Sequence, residues 1–297
     1  MKRLLRKRKW SHVIFDTLNY LLFFLLAIAF VVPFLHIVMY SISDISHYSS
    51  AGLFLWPRGF DIEIYKALLL EGMRIPRAMA MSLFVTIVGT FLSLMISSMF
   101  AYAIAKPFKG RNVAVFAVFF TMIFNGGMVP TWLVVRNLGL LDSPWALILP
   151  GLMTGFNIFV LRNFFVMLPE GLEESVLIDG GSYLTVFFRI VLPLSKPVLA
   201  TIALMTAVGY WNDYFSSILY IFDANKWPLA TLIRDLLSRS SVAMMEGGTV
   251  VGMDAGKIDN VKMRSATMVI SMVPVLFAYP FAQKYFEKGM IIGAIKG

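Results

Sequence analysis

Long stretches of the chain carry almost no charged side chain. They run over 17–42, 78–105, 112–135, 143–161, 197–222 and 265–283, with Asp213 alone interrupting the fifth. Each is close to the roughly 20 apolar residues that an α-helix needs to cross a hydrocarbon core of about 30 Å. The third contains Asn125, Gly126, Gly127 and Pro130, which break a helix. Its span is therefore expected over 107–125, with Lys109 and Arg111 snorkelling at its start and a re-entrant or short outer segment behind it. Segments such as 21–32 are apolar on every side, the pattern of a helix in lipid rather than the alternation of a barrel strand. The prediction is an all-α membrane protein with six transmembrane helices over 17–283.

Composition agrees with that pattern. Of 297 residues, 59% are hydrophobic and 14% charged, against about 45–50% and about 25% in soluble domains. A soluble globule, a disordered chain and a collagen-like fibre are excluded. Cysteine is absent, which excludes disulfides, thiolate zinc sites, iron–sulfur clusters and cysteine nucleophiles.

The net charge of +9 is read by membrane side rather than as a nucleic-acid footprint. Segment 1–16 opens with six basic residues and no acid among its first ten positions, so it is expected in the cytoplasm. Lys106, Lys109 and Arg111 mark a second cytoplasmic connection, and Lys284, Lys288 and Lys296 in the tail 284–297 a third. In the outer loop, Asp44, Asp61, Glu63 and Glu71 offset Arg58, Lys66, Arg74 and Arg77. The first apolar run is too long for a signal-peptide core. The basic residues beside it suit anionic lipid headgroups.

Segment 162–196, RNFFVMLPEGLEESVLIDGGSYLTVFFRIVLPLSK, is too amphipathic for a span and too apolar for a solvated loop. Pro169 suits a first helical turn, where Glu170, Glu173 and Glu174 meet the positive end of the helix dipole. Gly180 and Gly181 permit the positive φ that ends a helix. Ser182 can cap a second short helix, 183–191, which Pro193 and Pro197 end. Val176, Leu177 and Ile178 could rest on headgroups or dock in a groove of another protein.

This segment resembles the cytoplasmic signature of ABC-importer permeases, the EAA motif: Glu-Ala-Ala, three residues, Gly, nine residues, then Ile-x-Leu-Pro. Here Glu174-Ser175-Val176, Gly180 and Ile190-Val191-Leu192-Pro193 keep the spacing, with both alanines replaced. The stretches 125–131, 138–143, 145–151, Trp211-Asn212-Asp213 and the tail 288–297 resemble the carbohydrate-uptake branch, the MalG and LplC type. The resemblance implies a MetI/MalG-like fold with a coupling loop, 163–196, in which Glu173, Glu174, Ser175, Val176, Leu177, Asp179, Gly180 and Gly181 meet an ATPase. It further implies a second homologous permease forming a heterodimer and two ATP-binding cassette subunits that hold ATP and Mg. An extracytoplasmic solute-binding protein would deliver an oligosaccharide. No cofactor and no nucleic acid are expected on this chain. The implied location is the bacterial cytoplasmic (inner) membrane.

The remaining constellations add little chemistry. No Gly-x4-Gly-Lys-Ser/Thr occurs, so ATP is not expected on a P-loop of this chain, which is not read as an enzyme. Gly248, Gly252 and Gly256 have a helix-packing spacing but lie among charges and read as loop glycines. His12, His36 and His47 lack metal-site spacing and read as structural.

Asp213 differs, since a carboxylate at mid-membrane costs about 2.5–3.5 kcal/mol and needs a partner or a watery cavity. With Tyr210, Trp211, Asn212 and Tyr214 it suits a sugar pathway or an inter-helix hydrogen-bond network. On one continuous helix Trp211 and Tyr214 would share a face, with Tyr210 and Asp213 on the next. The expectation is Trp211 and Tyr214 toward the cavity, with Asp213 tied to a neighbouring helix.

The function expected is the permease subunit of an ATP-driven oligosaccharide importer, with uronate-containing sugars such as alginate or pectin fragments as one class of cargo. The alternatives are an ABC import permease for a non-sugar solute and a secondary transporter. The latter would need an ion site and usually two repeats.

Overall fold

The computed structural model describes residues 10–44, 54–71, 74–169, 171–245 and 261–277, and every regular element among them is helical. The segments 1–9 and 45–53 with His47, Glu170, the glycines at 248, 252 and 256, and 278–297 lie outside the described residues. The chain divides into two units. One comprises 1–68 with 240–270, the other 69–239 with 271–297.

In the first unit, α1 (Trp10–Ser41) is apolar throughout. Its span-like part, Ile14–Ser41, leaves its apolar side chains outside any core, as lipid exposure permits. Its end is tied down by polar contacts. Ser41 Oγ and Tyr65 Oη lie 2.7 Å apart, and Phe54 N–H donates to His36 Nδ1 at 3.0 Å. His36 thus has the structural role expected of it. Helix α2 (Glu63–Lys66) follows. The buried Lys262 pairs with Asp61, so a charge that would be costly alone has its counter-ion.

The second unit is built on α3 (Arg74–Ala105). Its buried face carries small residues, among them Ser82, Gly89, Ser93, Ser97 and Ala101. Small residues let helices approach closely in lipid, where apolar burial alone does not drive association. A Cβ on Gly89 would lie 2.8 Å from the Tyr210 ring. In chain order follow α4 (Arg111–Ile123), α5 (Met128–Asn137), α6 (Trp145–Ile148), α7 (Gly155–Val166), α8 (Gly171–Ile178), α9 (Tyr183–Val186), α10 (Leu192–Leu194), α11 (Lys196–Asn212), α12 (Phe215–Tyr220) and α13 (Leu229–Met245), of which α4, α6, α7 and α11 pack on α3. Two buried clusters sit at different heights of α3. One gathers Tyr102, Ile104, Leu161, Phe165, Val186 and Phe187; the other gathers Val85, Val135, Leu147, Ile148 and Tyr220.

Several expected spans are broken. Two described helices, Ile14–Ser41 and Arg74–Ala105, are long and apolar enough to cross a membrane. Three bent pairs raise that number to five if each is one span. The third predicted span shrinks to α4. Gly110 at φ 94° turns the chain just before it, so Lys109 falls in the turn. Arg111, expected to snorkel, instead donates from Nε to Ile104 O at 3.1 Å, as does Arg162 at 3.3 Å. Two cations thus meet the negative end of α3.

Between α4 and α5 the axis turns by 116°, where Asn125 Oδ1 accepts from Gly127 N–H and Gly127 has φ 90°. The fourth span, expected as 143–161, bends by 52° after Gly151. Thr154 recaps it, accepting from Asn157 N–H, and it runs on to Val166. Pro193 does not end the helix begun at Tyr183. A π-turn, Phe187–Val191, carries the path to Leu194, and the break falls at Ser195 with an 81° bend. The fifth span is interrupted at Asp213. A further helix occupies 261–277, the described part of the expected sixth span.

Candidate functional site

The loop between α7 and α11 folds as two short helices around a glycine turn. In α8, Glu173 and Glu174 occupy the first turn, the favourable end of the helix dipole. The helix closes with paired bonds, Gly180 N–H to Leu177 O at 3.1 Å and Gly181 N–H to Val176 O at 2.8 Å, a Schellman closure. Gly180 has φ 81°, a conformation β-branched residues avoid. Gly181 is needed for space, since a Cβ there would lie 2.6 Å from Val176 Cγ1. Ser182 Oγ then accepts from Thr185 N–H at 3.3 Å and caps α9.

The adjacent glutamates point in opposite senses. Glu173 is buried, ion-paired with Lys106 at the end of α3, and accepts from Tyr102 O–H at 3.3 Å. The Lys106 ammonium also lies 5.4 Å from the Tyr102 ring centre. Val176 and Leu177 pack on the core around Tyr102 and Phe187. Glu174, Ser175 and Asp179 are exposed, and Ile178 is 83% exposed. The loop is therefore anchored by Glu173, Val176 and Leu177 and presents Glu174, Ser175, Ile178 and Asp179 outward.

The second feature is a cavity of about 530 Å³ lined from α6, α7, α11 and α12. Of the five residues picked from the sequence, Tyr210, Asn212 and Asp213 line it; Trp211 and Tyr214 do not. The two-face geometry expected for 210–214 does not arise, because α11 ends at Asn212 and Asp213 is extended. Asp213 Oδ1 accepts from Ser216 N–H at 3.0 Å, starting α12. Tyr214 instead stacks under the Arg234 guanidinium, 4.3 Å from its ring centre. Tyr210 O–H donates to Ile148 O at 3.1 Å.

A third cluster ties two loops that, on the charge pattern, are expected on the outer side. Asp142, at φ 56°, accepts through Oδ1 from Phe222 N–H at 2.6 Å and Asp223 N–H at 2.9 Å. Lys226 Nζ donates to Asp142 O at 3.0 Å. The N–H of Asp223, then that of Phe222, holds the Asp142 carboxyl below its ordinary range, with Lys226 adding to the effect.

Sequence reasoning missed Lys106 and Tyr102 as partners of Glu173, having read Lys106 only as a topology marker. It also missed Thr154, Asn157, Thr206 and Ser216 in the cavity. The available signal was the presence of Asn157 and Thr206 in otherwise apolar stretches, where polar groups require partners.

Among the described residues, helices long and apolar enough to cross a membrane, a short helix with a bare outer face and a polar cavity fit the class of membrane permease subunits. No protein-family profile matches the chain. Over 285 residues it is 43% identical to Protein LplC of Bacillus subtilis (strain 168), covering 96% of this chain and 95% of that protein. It is 41% identical to the polygalacturonan/rhamnogalacturonan transport system permease protein YtcP of the same organism, covering 96% and 99%. Among solved structures it matches a chain of a bacterial ABC transporter involved in the import of the acidic polysaccharide alginate. The TM-score is 0.83 at 30% identity, covering 94% of this chain and 99% of that one. The chain belongs to the permeases of carbohydrate ABC transporters.

Proposed function

We propose that the chain forms one half of the transmembrane pathway of an ATP-driven, binding-protein-dependent importer of oligosaccharides, uronate-containing ones included. It sits in the bacterial cytoplasmic (inner) membrane with six spans and both termini cytoplasmic. A second, homologous permease completes the pathway. Two ATPase subunits hold ATP and Mg, and an external binding protein delivers the sugar.

The observation that carries this reading is the division of labour in the loop 163–196. Glu173 fixes the loop to α3, while Glu174 and Ile178 face outward. A short helix anchored on one side and bare on the other can transmit a partner's motion as a rigid body. The cargo class is supported by the relatives that handle polygalacturonan, rhamnogalacturonan and alginate.

The test is ATP-driven uptake of labelled oligogalacturonides into vesicles holding this chain, the second permease and the ATPase, with binding protein added. Uptake that requires every component is expected. Equal uptake without ATP or without the ATPase would contradict the reading.

A further inference from the structure

The cavity lined by Tyr210, Asn212 and Asp213 carries a carboxylate and no cationic side chain. We infer that it is a subsite for the hydroxyl groups of a sugar unit, and that it turns carboxylates away. The inference rests on the oligosaccharide-import reading above. It adds that the acidic groups of a uronate cargo are not read by this half of the pathway.

Size permits such a role: about 530 Å³ falls in the about 300–1,000 Å³ range of small-molecule sites. The polar lining decides what kind of ligand fits. Tyr210 directs its only proton to Ile148 O at 3.1 Å, which leaves its oxygen as an acceptor. The Asn212 amide nitrogen donates to Val208 O at 3.0 Å. A backbone carbonyl can only accept, so this bond fixes the amide orientation and turns Oδ1 away from the helix backbone. The Asn157 amide nitrogen is directed to Thr206 Oγ1 at 3.3 Å. Asp213 uses one carboxylate oxygen on Ser216 N–H, and a carboxylate has further acceptor capacity. No lysine, arginine or histidine lines the cavity.

The lining is thus rich in acceptors and carries one negative charge and no positive one. A sugar hydroxyl satisfies it, because it offers a proton to an acceptor and a lone pair to the lining hydroxyls. A carboxylate offers only lone pairs and would meet Asp213 as a like charge. The balancing cations for a uronate must then come from the other permease or the binding protein.

Asp213→Asn separates charge from structure, because asparagine caps a helix start as well as aspartate does. In vesicles holding the complete importer, uptake of trigalacturonate is compared with uptake of its methyl ester. Any preference of the binding protein enters wild type and variant alike and cancels in the comparison. Asp213→Asn is expected to shift the acid-to-ester uptake ratio toward the acid by about tenfold, the scale of losing one nearby like charge. Asn212→Asp is expected to shift it toward the ester. An unchanged ratio in transporting variants overturns the inference while the import reading stands. Uptake of neither probe by the wild-type importer overturns the import reading and the inference with it.

A second measurement needs no altered acid. The chain has no cysteine, and a Cβ on the cavity-lining Gly209 meets nothing within 4 Å. Thiol labelling of Gly209→Cys in the full importer is expected to slow more with the methyl ester than with the acid. Equal or greater protection by the acid overturns the inference.

Discussion

Gly180 and Gly181 look interchangeable in the sequence but are required for different reasons. Gly180 has φ 81° with open space around it. A non-glycine residue there costs about 1–2 kcal/mol, least for asparagine. Gly180→Asn should keep uptake near wild type, and Gly180→Val should lower it by about tenfold. Gly181 fails for want of room, so Gly181→Ala should lower uptake although alanine suits its backbone. Vesicle uptake with immunodetection of inserted chain checks all three variants.

Asp142 gives a pH dependence. The N–H groups of Asp223 and Phe222 hold its carboxyl below the ordinary aspartate value, so its contribution is fully present above about pH 4 and fades as pH falls through the lower folded value. Limited proteolysis at the 138–143 and 221–227 loops should accelerate on acidification below about pH 4. Asp142→Asn, which tolerates φ 56°, should show that acceleration already at pH 7.

At the scale of elements, the long apolar helices were legible from hydropathy and their breaks only in part. Asn125-Gly126-Gly127 announced the 116° turn because its residues are helix breakers. The break at Asp213 was missed because Trp211, Asn212 and Tyr214 carry no such mark. It follows from a carboxylate that accepts the N–H of Ser216 three residues on. The path through Pro193 was misjudged because the proline falls in the first turn of α10, directly after a π-turn, where its missing N–H does not end the helix.

The Glu173–Lys106 pair joins α8 to α3 and could not be read from one position alone. Burying one partner unpaired is costly, and this pair is held back from the full penalty by the 31% exposure of Lys106. Glu173→Lys and Lys106→Glu should each depress ATP hydrolysis stimulated by loaded binding protein. The double exchange should restore it at least in part, as a double-mutant cycle shows. Two singles at wild-type stimulation would remove this joint from the account.

For the whole molecule, class was readable because hydropathy, charge asymmetry and the spaced Glu174, Gly180 and Pro193 agree. The roles within the loop were not, because sequence does not say which of two adjacent glutamates turns inward. The central claim is that the outer face of α8 meets an ATPase. The most direct test exploits the absence of cysteine, pairing Ile178→Cys on the exposed face with Leu177→Cys, which is packed against the core. In membranes holding the assembled importer, a short bifunctional thiol reagent should link Ile178→Cys to the ATPase subunit, with a yield that changes on adding ATP. Leu177→Cys should link poorly in both conditions. Equal linkage at both positions, or none to the ATPase at Ile178→Cys in an importer that still transports, would contradict the account.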